Sequence, residues 1–176
     1  MLAEGFPMVG YRQIPGSPWA TTTDLISPDV WIWNIETGAR VRSLGISIQA
    51  NSEPVQSGRW VVTRTRQEFA VWETGTWRAI ARWPARADEQ DSGQVIASKD
   101  SRLLVSDTVG GGLVLRELPG GTELVKLIPP RDLALRQWTF SPDGRRLIIL
   151  THSGRVVEWD LAELRREFAT VGLDWE

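Results

Sequence analysis

The chain of 176 residues has no cysteine. That excludes disulfides, thiolate metal sites and a cysteine nucleophile, and it suits a reducing compartment, so the expected location is the cytoplasm. Histidine occurs once, too seldom for the imidazole sets that hold zinc or copper, and no cofactor or metal is expected. Neither sign of charge is in excess, with 20 basic residues against 22 acidic. A nucleic-acid surface needs a basic stripe. The pairs Arg145-Arg146 and Arg165-Arg166 are short and lie close to acids, as solvated faces do. Long apolar runs are also missing. Leu147 to Leu150 is typical of the longest, far short of a membrane span. Met1 to Gly10 lacks the basic start and apolar stretch of a signal peptide. Neither nucleic acid nor membrane is an expected partner.

Tryptophan is what the chain has in plenty: ten, against a single tyrosine. Rings of that size must be buried, and their spacing reveals a repeat. Four segments align: Val30-Trp31-Ile32-Trp33-Asn34, Phe69-Ala70-Val71-Trp72-Glu73, Leu113-Val114-Leu115-Arg116-Glu117 and Val156-Val157-Glu158-Trp159-Asp160. The repeat positions Trp33, Trp72, Arg116 and Trp159 are 39, 44 and 43 residues apart. A second anchor keeps the register. Asp143, in the turn Ser141-Pro142-Asp143-Gly144, lies 16 residues before Trp159, and Asp100 and Gln56 lie at the same distance before Arg116 and Trp72. In the first unit Ser17-Pro18 falls near that place. A third anchor is a turn after the acid or amide: Glu36-Thr37-Gly38, Thr74-Gly75 and Gly120-Gly121-Thr122.

Each unit therefore reads as four short strands joined by turns. A period near 40 selects a β-propeller. In Val30-Trp31-Ile32-Trp33 both faces are apolar, as a blade covered by neighbours on both sides requires. The expected class is all-β: about four four-stranded antiparallel blades at approximately 9–44, 46–84, 93–128 and 133–160, with a C-terminal capping helix and tail over 161–176.

The units resemble WD40 repeats. Trp159-Asp160 matches the eponymous dipeptide, preceded by Phe140-Ser141-Pro142-Asp143-Gly144; Trp33-Asn34 and Trp72-Glu73 are degenerate forms. The resemblance covers roughly residues 15 to 160. It implies a binding protein whose loops and central channel receive protein or peptide partners. The Gly-His pair of the family is absent, so its hydrogen-bonded network around the tryptophan is incomplete and stability is expected to rest on apolar packing. Arg116 replaces one tryptophan, and its stem is expected to pack while its head reaches water.

At the C-terminus the pattern changes. Asp160 is a helix N-cap with Glu163 three residues on, and Leu161, Leu164, Phe168 and Val171 share one helical face, with Gly172 as a stop. The spacing predicts a short helix in place of the outer strand, its apolar face on the last blade, with Leu173 and Trp175 pinning the tail. This ending resembles the tail of large bacterial WD40 proteins. No comparable cap stands at the N-terminus. The chain therefore reads as part of a longer propeller, a half-ring that self-associates or pairs with further blades, or a compact ring of four.

Catalytic signals are thin. His152 sits in the turn Thr151-His152-Ser153-Gly154, and no Gly-x-Ser-x-Gly elbow is present. Asp88, Glu89 and Asp91 offer carboxylates for calcium or magnesium, but the segment Ala85 to Gly93 reads better as a solvated loop. Gly110-Gly111-Gly112 lacks a following Lys-Ser/Thr and precedes a strand, so it is a turn and not a phosphate loop. The chain thus reads as a non-catalytic protein-interaction scaffold, with a small-ligand or enzymatic propeller as the lesser alternative. Arg64, Arg66, Arg136, Gln137 and His152, at strand ends and turns, are the candidate contacts. Trp19, Trp60 and Trp77 would join them if exposed.

Overall fold

The computed structural model describes residues 8–24, 29–46, 51–54, 58–89, 94–130 and 134–170, with backbone alone at 8, 9, 24 and 51–54. Four antiparallel sheets follow one another along the chain. Blade one holds β1 (Met8–Gln13), β2 (Trp19–Asp24), β3 (Val30–Asn34) and β4 (Ala39–Ser43). Blade two holds β5 (Asn51–Pro54), β6 (Trp60–Arg64), β7 (Glu68–Glu73) and β8 (Ala79–Pro84). Blade three holds β9 (Val95–Ala97), β10 (Leu103–Asp107), β11 (Leu113–Glu117) and β12 (Glu123–Leu127). Blade four has three strands, β13 (Leu135–Phe140), β14 (Arg146–Thr151) and β15 (Val156–Asp160), and then α1 (Leu161–Thr170). Within each sheet the strands pair in chain order, because short turns join neighbours and leave no room for a crossover.

The turns repeat with the strands. Ser98 and Ser141 each donate a hydroxyl to the aspartate two residues on, Asp100 and Asp143. Each also accepts the backbone N–H five residues on, from Leu103 at 2.9 Å and Arg146 at 3.0 Å. Both first-to-second-strand turns are thereby shaped by side chains. At the next turn of blades two, three and four a threonine does the same work. Thr65, Thr108 and Thr151 accept, through their hydroxyls, the backbone N–H groups of Glu68, Gly112 and Arg155.

Three core clusters fill the spaces between blades. Val30, Ile32, Val61, Ala70 and Trp72 join blades one and two. Val62, Phe69, Val71, Val95 and Leu104 join blades two and three. Val105, Leu113, Leu115, Trp138, Leu147 and Ile149 join blades three and four. Both faces of the inner sheets are therefore apolar, which is why their strands do not alternate. Trp19 and Trp77 meet edge to face at 5.8 Å in the first joint. Trp60 packs on the second. These three rings serve the core.

The Asp160 carboxylate accepts the N–H groups of Ala162 at 2.9 Å and Glu163 at 3.0 Å, capping α1 as its position requires. Leu161 is buried in the third joint and Leu164 packs against it. Val171, Gly172, Leu173 and Trp175 lie outside the described residues. No helix among those described is long and apolar enough to cross a membrane.

Candidate functional site

The repeat positions occupy equivalent places. Trp33, Trp72, Arg116 and Trp159 face Ala20, Val61, Leu104 and Leu147 across the second strand of their blades. Two residues further along that strand stand Thr22, Thr63, Ser106 and Ile149. The indole N–H of Trp33 donates to the Thr22 hydroxyl at 2.8 Å, and that of Trp72 donates to Thr63 at 2.8 Å. Arg116 Nη1 donates to Ser106 Oγ at 2.9 Å. Blade four has only Ile149 at this place. In blades one to three the repeat position is thus tied to the second strand through a hydroxyl. The second-to-third-strand turns differ in length, so this hydroxyl has no constant offset from the tryptophan and escapes a fixed-period reading.

Arg116 corrects a sequence expectation. Its head does not reach water: the residue is 2 % exposed. The guanidinium donates in a fork to both carboxylate oxygens of Glu89, each at 2.7 Å. Glu89 corrects a second one. It sits in a single 3-10 turn, Ala87–Glu89, and is 0 % exposed, so the described part of the segment, Ala85 to Glu89, is not simply a solvated loop. The Glu89 carboxylate also accepts the Ser106 hydroxyl and the Arg86 backbone N–H. A buried carboxylate is tolerable only with its lone pairs filled in this way.

The neighbouring charges close around this pair. Arg64 is buried, donating to the Glu89 carbonyl and, at 3.4 Å, to Asp107. Lys126 and Arg86 both donate to Asp88, and Arg86 bridges on to Glu123 at 2.8 Å. Arg64 and Arg116 also lie over the Phe69 ring at 5.5 and 5.3 Å. Burial pushes the Glu89 carboxyl up, but the hydrogen bonds from Arg116 and Ser106 outweigh it and hold Glu89 below its ordinary value. Burial lowers the Arg64 pKa, with Asp107 and Glu89 opposing. The bond from Lys126 holds Asp88 below the usual carboxylate range. This assembly pins the loop after blade two onto blade three. The carboxylates of Asp88 and Glu89 face cations, and Asp91 is outside the described residues. No metal-holding group of three or more His, Cys, Asp or Glu residues occurs among those described.

Of the candidate contacts, Arg64 is therefore interior, while Arg66, Arg136, Gln137 and His152 are exposed. His152 donates its backbone N–H to the Ala134 carbonyl at 2.8 Å. That bond holds the turn beside the start of β13, the strand that carries Arg136 and Gln137. Arg66 occupies the corresponding turn of blade two. Gly110 to Gly112 form that turn in blade three, held by the Thr108 hydroxyl.

No family model and no curated protein matches the sequence. Solved structures do resemble the fold. A Swd1 β-propeller domain of Myceliophteria thermophila superposes with a TM-score of 0.74 at 14 % identity, covering 93 % of this chain and 54 % of that one. Hydrazine synthase of Kuenenia stuttgartiensis superposes with a TM-score of 0.69 at 13 % identity, covering 93 % and 48 %. The chain thus spans about half the length of each. Identity this low carries the architecture alone, and the architecture is that of consecutive β-propeller blades.

Proposed function

We propose that the chain is a non-catalytic scaffold of WD40-type blades. It binds a protein or peptide partner at the end of the blades where Arg66, Arg136, Gln137 and His152 lie. One observation carries this reading. Arg136, Gln137 and His152 are all exposed near the end of blade four where the His152 N–H is bonded to the Ala134 carbonyl, and the blade is packed against blade three. Rigid scaffolds commonly present binding groups on such turns. The Trp-Asp pair of blade four and the hydroxyl-to-indole bonds of blades one and two support the WD40 type. The test is capture of a partner by the full chain, identification of that partner, and titration of it against an Arg136→Ala/His152→Ala variant. A loss of roughly tenfold or more in affinity is expected if these are central contacts. Unchanged affinity removes this corner as the binding face.

A second reading has the blades completed by further blades. It is favoured by Tyr11 and Val156, exposed on the outer faces of the two terminal sheets.

A further inference from the structure

The joints inside the chain share a pattern, complete in the first two because blade four has no fourth strand. The trailing face of each blade presents the residue before the repeat position, Ile32, Val71 or Leu115, and all three are fully buried. The leading face of the next blade answers with the repeat position and its neighbour on the fourth strand. These are Trp72 with Ala79 at the first joint and Arg116 with Glu123 at the second. Ile32, Trp72 and Ala79 belong to one cluster, so these positions meet within a joint.

Among the described residues two faces have no mate. The leading face of blade one carries Tyr11, Trp31, Trp33 and Arg40. The trailing face of blade four carries Ile148, Leu150, Val156 and Glu158. Among the described residues no core cluster joins blade one to blade four. Tyr11 is 51 % and Val156 63 % exposed. Each face carries a charge at one of these positions, as blade three does with Glu123. Arg40 stands where Ala79 stands in blade two, and its guanidinium lies 4.0 Å from the Trp31 ring centre. Glu158 replaces the buried Ile32, Val71 or Leu115, and its side chain is 52 % exposed. The two replacements carry opposite charge at positions that would meet. Arg146 already donates to Glu158 at 3.1 Å, but a carboxylate accepts several donors. The chain also buries a forked Arg–Glu pair at its second joint.

We propose that the leading face of blade one docks on the trailing face of blade four of a second copy of this chain. Two copies then close head to tail through two such joints. Trp31, Trp33 and Tyr11 supply the aromatic anchor, and Arg40 meets Glu158. Two chains of four blades give eight, within the range in which propellers close. The inference rests on the second reading above and gives its partner. It is independent of what the His152 corner binds.

Sedimentation velocity of the full chain is the test. A species of twice 19.7 kDa is expected at tens of micromolar. Arg40→Glu and Glu158→Lys, both at exposed positions, should each weaken it by roughly tenfold, and the double variant should recover most of the loss. A monomeric wild type overturns the proposal. So does a dimer indifferent to both substitutions, and so does growth to larger oligomers, the signature of a head-to-tail contact that fails to close. Hydroxyl-radical footprinting separates the two levels. A monomer oxidised readily at Tyr11 and Val156 overturns the second copy alone. A monomer protected at both has closed on itself and overturns completion by further blades as well.

Discussion

Arg116 is where a single residue decides most. In an otherwise apolar strand, Leu113-Val114-Leu115, it needs a buried anion, and Glu89 supplies one through a forked pair. The pair is not an isolated source of stability, since desolvation consumes much of its attraction. Removing one member is another matter. Arg116→Ala leaves Glu89 charged and enclosed, and it should cost about 3–5 kcal/mol. The joint replacement Glu89→Leu/Arg116→Leu should cost clearly less than Arg116→Ala alone. Urea midpoints of the three proteins check this ordering. The sequence signal was present in the arginine itself. Its partner was hidden in Ala85 to Gly93, a stretch whose composition reads as solvated.

At the scale of elements, the turns carry as much information as the strands. Gly121, in the turn between β11 and β12, has φ of +79°, and a Cβ there would lie 2.2 Å from the Trp83 ring of blade two. The turn is therefore a second strap across the same joint, and only glycine fits. Gly121→Ala should destabilise by about 2–4 kcal/mol, from the left-handed backbone and the overpacking together. Thermal unfolding followed by circular dichroism measures it. An unchanged midpoint would mean that Trp83 simply moves aside. The strap could not have been read from Gly120-Gly121-Thr122, which announces a turn but not what lies beneath it. The helix α1 is the opposite case. Asp160, Leu161 and Leu164 were sufficient in sequence, because a cap and a 3.6-residue stripe are local properties.

At the scale of the molecule, each core cluster spans a single joint, so stability is close to a sum over neighbouring blades. The joints are not alike. The first and third are apolar, and the second is charged. Glu89 and Asp88 have folded pKa values below their ordinary ones. Carboxylates of this kind stabilise the fold fully above the unfolded value, roughly 4 to 4.5, and lose that contribution as pH falls through the folded value. The second joint should therefore open first in acid. Hydrogen exchange below about pH 4 should rise in β6, β7, β10 and β11 before β14. Uniform loss of protection across all blades would contradict it. The variant Glu89→Leu/Arg116→Leu should lack the early phase at Glu89.

The repeat, the strand count of each unit and the terminal helix were set by sequence alone. They depend on turn chemistry and on residue patterns within reach of a few neighbours: Ser141 with Asp143, Thr37-Gly38, Asp160 with Leu164. Blade one, too, forms a complete four-stranded sheet. Tertiary structure decided what faces what. It took Arg64 and Arg116 into a joint, enclosed Glu89, set hydroxyls beneath Trp33 and Trp72, and left Arg136, Gln137 and His152 outside. Those outcomes turn on side chains brought together across two blades, and the balance between burying a charge and pairing it does not exist until the blades meet.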